Sequence, residues 1–99
     1  MAWMIYGANG YTGRLTAMES VRRGMQPVLA GRNEAEVVQL AEELGLEYRI
    51  FSLDVPDDLR EAITGLKLVL HCAGPFSATS QPMISACLSE GVHYLDISG

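Results

Sequence analysis

Met4-Ile5-Tyr6-Gly7-Ala8-Asn9-Gly10-Tyr11-Thr12-Gly13-Arg14 is the stretch on which the rest of the chain depends. A short apolar run ends in glycines at positions 7, 10 and 13, and a helical apolar pattern begins at once. The expected unit is strand, glycine turn, helix. Gly7 lets the chain leave the strand sharply without a Cβ clash. Gly10 leaves room for phosphate oxygens near the backbone, and Gly13 lets the helix lie close on the strand. The helix start adds unpaired N–H groups and a partial positive charge, which suit an anion. The spacing is G-x-x-G-x-x-G, not the commoner G-x-G-x-x-G, and a bare glycine triplet also fits an ordinary turn. The surrounding pattern has to decide between them.

Downstream, Leu15, Met18, Val21 and Met25 recur at near-helical spacing, Arg22 and Arg23 suit a helix carboxyl end, and Gly24 suits its cap. Pro27-Val28-Leu29-Ala30 has the wholly apolar character of a strand buried on both faces. Asn33 with Glu36 three residues on makes a capping-box pattern, and Val37, Leu40, Ala41 and Leu44 form one stripe before Gly45. A partly polar strand follows over residues 48–53, then a short helix opened by Pro56 with Leu59, Ala62 and Ile63 on one side. Residues 66–72 form the fourth strand and run into Ala73-Gly74-Pro75-Phe76. Thr79 or Ser80 suits a helix cap, Pro82 a first turn, and Ile84, Cys87 and Leu88 an inward face, with Gly91 ending the helix. Residues 93–97 form the fifth strand.

Five strands alternating with four helices predict an α/β fold, a doubly wound parallel Rossmann-type sheet in the order 3-2-1-4-5. Its ligand crevice lies at the carboxyl edge, between strands 1 and 4. The glycine turn, the end of strand 2 and the 73–76 loop all reach that crevice.

A domain that binds NAD typically places Asp or Glu at the end of strand 2, where it accepts hydrogen bonds from the ribose. This chain has Ala30-Gly31-Arg32-Asn33 there. A carboxylate would repel a 2′-phosphate, whereas a guanidinium pairs with it, so NADP(H) is expected over NAD(H). Arg32 is then the phosphate reader and Asn33 its assistant, against the alternative of a solvated arginine. Asn9, Tyr11 and Thr12 are grouped with Gly7, Gly10 and Gly13 as cofactor contacts. Asp54 is a candidate for the adenine amino group, with capping of the next helix as its rival role. Arg14 either touches the phosphates or is solvated. Ala73, Gly74 and Phe76 are expected at the nicotinamide end, with core packing as the rival for Phe76.

No catalytic machinery is evident. His71 lies in an apolar strand and fits a satisfied core histidine, His93 starts a strand, and Ser98 lacks an elbow context. Cys72 and Cys87 lack metal spacing and suit packed, reduced thiols, so no metal is expected. The P-loop reading fails because no Gly-Lys-Ser/Thr follows the glycines.

The 99 residues suit one small domain, and 48% hydrophobic content is enough for one core. Seven basic against twelve acidic residues give a net charge of −5, which argues against a nucleic-acid partner. No apolar run is long enough for a membrane span, no signal pattern opens the chain, and a cytoplasmic location is expected. The end at Ser98-Gly99, directly after a strand, predicts one dinucleotide-binding domain (1–99) of a longer two-domain protein.

Gly7-Ala8-Asn9-Gly10-Tyr11-Thr12-Gly13, Ala30-Gly31-Arg32, Ala73-Gly74-Pro75-Phe76 and Tyr94-Leu95-Asp96-Ile97-Ser98-Gly99 occur in one order. The series resembles the N-terminal domain of the saccharopine dehydrogenase-like family, particularly its oxidoreductase and trans-acting enoyl reductase branch. The resemblance spans essentially the whole chain. It implies an NAD(P)-dependent oxidoreductase whose small-molecule substrate is held by a second domain that also supports a homodimer. It also implies that Gly7, Gly10, Gly13 and Arg32 touch the cofactor, with Gly74 and Phe76 alongside. The substrate is not implied. A non-catalytic dinucleotide sensor is the alternative, and the two readings predict the same site here.

Overall fold

The computed structural model of the protein describes residues 2–73 and 76–97, without the side chains of residues 76–79. The expectations placed on Gly74, Pro75, the Phe76 side chain, the Thr79 cap and Ser98-Gly99 therefore lie outside the described residues.

The first strand, β1 (Trp3–Tyr6), alternates its apolar side chains between two faces. Met4 and Tyr6 enter one core cluster and Ile5 the other. A strand that must be apolar on both sides belongs in the middle of a sheet covered twice. The order is β3-β2-β1-β4-β5, with every pairing parallel. The helices α1 (Tyr11–Arg22) and α2 (Glu34–Leu44) belong to the face of Ile5 and Leu29, while α3 (Pro56–Ile63) and α4 (Phe76–Glu90) belong to that of Met4 and Tyr6. The remaining strands are β2 (Val28–Gly31), β3 (Tyr48–Ile50), β4 (Leu68–His71) and β5 (His93–Asp96). The doubly wound order expected from the alternation of elements is the observed one.

Two helix faces differ from the sequence expectation. On α1 the buried residues are Gly13, Ala17 and Ser20, whereas Leu15 and Met18 are exposed, as is Met25 beyond the helix. The helix lies so close on β1 that only small residues fit, and the larger apolar side chains turn outward. On α4, Met83, Ala86 and Cys87 are buried, Ile84 is half-buried and Leu88 is 80% exposed. The helix also begins at Phe76, earlier than the expected cap, so Pro82 sits inside it rather than in its first turn. Strand β3 ends at Ile50, short of Leu53, though Phe51 and Leu53 remain buried.

The capping box of α2 is half present. The Asn33 side chain accepts from the Glu36 amide at 3.1 Å, while the Glu36 carboxylate is engaged by Asn9 instead. Pro56 opens α3, but the residue in cap position is Val55, so Asp54 does not cap that helix.

Candidate functional site

The glycine turn is built by backbone geometry. Gly7 has φ +83°, and its amide and that of Ala8 both donate to the Ala30 carbonyl, at 2.8 and 3.1 Å. A Cβ at Gly7 would fall 2.7 Å from the Ala73 nitrogen, so the turn and the β4 exit approach each other backbone to backbone. A Cβ at Gly13 would collide with the Gly7 carbonyl oxygen and stand 2.9 Å from Ala8 Cα. Gly10 differs, because a Cβ there would meet only the Gly7 oxygen at 3.4 Å, an ordinary contact. Internal packing thus demands glycine at 7 and 13, while at 10 it does not, because a Cβ there would otherwise point into open space.

That open side is the start of α1. Its cap residue, Gly10, supplies no side-chain hydrogen bond, and the first turn carries no acid. By helix geometry the Tyr11, Thr12 and Gly13 amides have no carbonyl of their own helix to bond. The start of α2 is the opposite case, with Asn33 capping it and Glu34 and Glu36 in its first turn. Of these two helix starts, α1 is the one prepared for an external anion.

A pocket of about 210 Å³ joins Gly7 and Asn9 of the turn to Gly31, Arg32 and Asn33 after β2 and to Ala73 after β4, with Tyr6 beside them. Five expected site residues (Gly7, Asn9, Arg32, Asn33 and Ala73) therefore meet in one place. Arg32 is exposed, and the ion pairs of the described residues do not include it. Tyr11 and Thr12 are exposed at the first positions of α1, adjacent to the pocket rather than in it. Asp54 is exposed after β3, also outside the pocket lining. Arg14 reaches across to Glu43 of α2 at 3.4 Å, which ties the two helices together.

Two lining residues, Tyr6 and Gly31, were not expected from the sequence as cofactor contacts. Tyr6 is the last residue of β1, and face alternation would have marked it. Its hydroxyl donates to the Phe51 carbonyl at 3.2 Å, and burial pushes its pKa up to about 12, with Arg32 lowering it and Asp54 raising it. Its ring stacks on His71 at 5.7 Å, and His71 in turn meets Tyr94 at 6.0 Å. His71 is fully buried, as the apolar strand implied, with Nε2 3.1 Å from the Ala73 carbonyl. Burial lowers its pKa below the usual histidine value.

A larger groove of about 420 Å³ runs along Arg49, Asp58 and Glu61 at the β3 edge. Its two carboxylates and its distance from the glycine turn make it a poor phosphate site. Among the described residues no cluster of His, Cys, Asp and Glu is placed to hold a metal ion, and no helix is long and apolar enough to cross a membrane.

Comparison with known proteins bears on the fold and the family. A protein of Arabidopsis thaliana, named as a mitochondrial saccharopine dehydrogenase-like oxidoreductase, is 36% identical over 97% of this chain and 25% of its own length. A Mycobacterium tuberculosis protein named as a trans-acting enoyl reductase is 29% identical, again over 97% of this chain and 25% of its own. The chain thus spans about a quarter of these relatives. The solved structure of Citrobacter triphenylmethane reductase with NADP(H) superposes with a TM-score of 0.78 at 23% identity, over 97% of this chain and 37% of that one. That likeness concerns the fold alone. The family described as the saccharopine dehydrogenase NADP binding domain matches residues 3–99, and the chain belongs to it.

Proposed function

We propose that this NADP-binding domain presents its cofactor for hydride transfer to a small-molecule substrate held by chain outside these 99 residues. The observation that carries the reading is the meeting of an uncapped, acid-free helix start with Arg32 at one crevice. In this reading Gly7, Gly10 and Gly13 with the amides of Asn9, Tyr11 and Thr12 hold the pyrophosphate. Arg32 pairs with the 2′-phosphate and Asn33 assists, while Asp54 meets the adenine. Ala73, Gly74 and Phe76 border the nicotinamide, which when bound supplies the hydride. The chain's own contribution is binding and orientation, and no catalytic group is assigned to it.

The names of the relatives, an oxidoreductase and a reductase, support an oxidoreductase parent over a non-catalytic sensor. Their fourfold greater length supports a longer protein; in our reading this is its first domain, and a second binds substrate and forms a homodimer. The free cysteines Cys72 and Cys87 fit a reducing compartment, and we assign the protein to the cytoplasm, although the Arabidopsis relative is named mitochondrial.

The test is the dissociation constant of NADPH and of NADH for the wild type and Arg32→Ala. Loss of a charge-assisted pair predicts NADPH binding weaker by about tenfold or more, with NADH changed by less than about twofold. Equal losses for both would refute the role of Arg32.

A further inference from the structure

Asn9 belongs to the glycine turn, yet its side chain does not serve that turn. Its Nδ2 donates to Glu36 Oε2 of α2 at 2.7 Å. Its Oδ1 lies over the end of β2, only 3.1 Å from where a Cβ of residue 31 would stand, so Gly31 leaves the space Asn9 occupies. The Glu36 amide is meanwhile fixed by the Asn33 side chain at 3.1 Å. Asn33 thus fixes the backbone of Glu36 while Asn9 holds its carboxylate, and both Asn9 and Asn33 line the pocket that contains Arg32.

A reciprocal capping box would have turned this carboxylate back onto its own helix. Here it is bonded instead to Asn9, which lines the same pocket as Arg32, so Glu36 stands one residue behind that lining. In the reading given above, that puts an opposing charge behind the phosphate site. From this arrangement we infer that Glu36 is a specificity-determining residue, an antagonist of Arg32 at the adenosine ribose. Arg32 attracts a 2′-phosphate. Glu36 repels it, and its oxygens accept from an unphosphorylated 2′-hydroxyl. The balance of the two sets the NADP-to-NAD ratio and keeps the preference for NADP moderate. The inference rests on the reading of Arg32 given above.

The test uses Glu36→Gln, in which a carbonyl oxygen still accepts from Asn9 and only the charge is removed. Glu34→Gln makes the same charge change in the same helix turn without a bond to Asn9. Dissociation constants for NADPH and NADH are measured by fluorescence titration at low and high salt. A carboxylate near a phosphate in an exposed cleft predicts NADPH binding about three- to tenfold tighter in Glu36→Gln, with NADH unchanged or weaker. Glu34→Gln is expected to give a smaller change, and high salt to shrink the gain. Equal effects of the two glutamine variants, or parallel shifts for both cofactors, would overturn the proposal. Arg32→Ala in parallel separates the two readings. A selective NADPH loss there with a flat Glu36→Gln result removes this proposal alone. Equal cofactor losses there with a shifted ratio in Glu36→Gln remove the Arg32 reading and leave Glu36 as the discriminator.

Discussion

Alanine at Gly10 and at Gly13 should have opposite consequences, although both glycines lie in the same turn. At Gly13 the three atoms nearest the new methyl are all backbone: it collides with the Gly7 carbonyl oxygen and lies 2.9 Å from Ala8 Cα and 3.0 Å from the Gly7 carbonyl carbon. None of these atoms can rotate away, so α1 must lift off β1. Overpacking costs about 1–3 kcal/mol, and an unyielding backbone places this case near the top of that range. Replacing a helical glycine with alanine offsets at most about 1 kcal/mol. The net loss is about 2 kcal/mol, which lowers the melting temperature by about 8–16 °C for a domain of this size. At Gly10 the backbone has φ −75° and ψ 169°, which alanine adopts freely, and the nearest atom stands at 3.4 Å. The weaker capping by alanine and the stiffer unfolded chain nearly cancel, leaving stability within about 1 kcal/mol of wild type. Its methyl nevertheless occupies the open side of the turn, so NADPH affinity should fall by about tenfold or more. Thermal melts of the cofactor-free protein and NADPH titrations of both variants provide the readout. A Gly13→Ala protein that melts like wild type, or a Gly10→Ala protein that binds NADPH like wild type, would refute the division of labour.

Two further predictions concern the core and pH. Leu88 is 80% exposed and Met83 is fully buried, so Leu88→Ala should change stability by less than about 0.5 kcal/mol and Met83→Ala should cost about 2–5 kcal/mol. Comparable urea midpoints for the two variants would contradict the observed orientation of α4. Burial pushes the Cys72 and Cys87 thiols up to about 11 and the Tyr6 phenol up to about 12, and burial with the hydrogen bond to Asp96 raises Tyr94 further still. A raised folded pKa means stability that is complete below the unfolded value and lost as pH climbs through the folded one. The urea midpoint should therefore fall from about pH 9 toward 12, and Tyr6→Phe should flatten the upper part of that decline; stability holding steady to pH 12 would exclude these burials.

The topology was legible because it depends on coarse signals. Wholly apolar β2 residues, the glycines at 7, 10 and 13 and the stops at Gly24, Gly45 and Gly91 mark a parallel, doubly covered sheet whatever the side-chain details. Pocket residues Gly7, Asn9, Arg32, Asn33 and Ala73 were legible for a related reason, since their sites follow from strand ends. What was hidden depends on distance between elements. The inward face of α1 belongs to Gly13, Ala17 and Ser20 because helix and strand nearly touch, so periodicity of large apolar residues pointed the wrong way. The Asn9–Glu36 bond joins residues 27 apart in sequence, and local capping rules assign Glu36 to its own helix start. The Arg14–Glu43 pair is concealed in the same way by a separation of 29 residues. Face alternation did contain Tyr6, whose contact with Phe51 requires the sheet to exist first.

The central claim is where NADP lies, and amide chemical-shift mapping during NADPH titration tests it most directly. Shifts should concentrate at residues 7–13, 31–33 and 73, around the 210 Å³ pocket and the start of α1. Shifts gathered instead along Arg49, Asp58 and Glu61, in the larger groove at the β3 edge, would contradict the account.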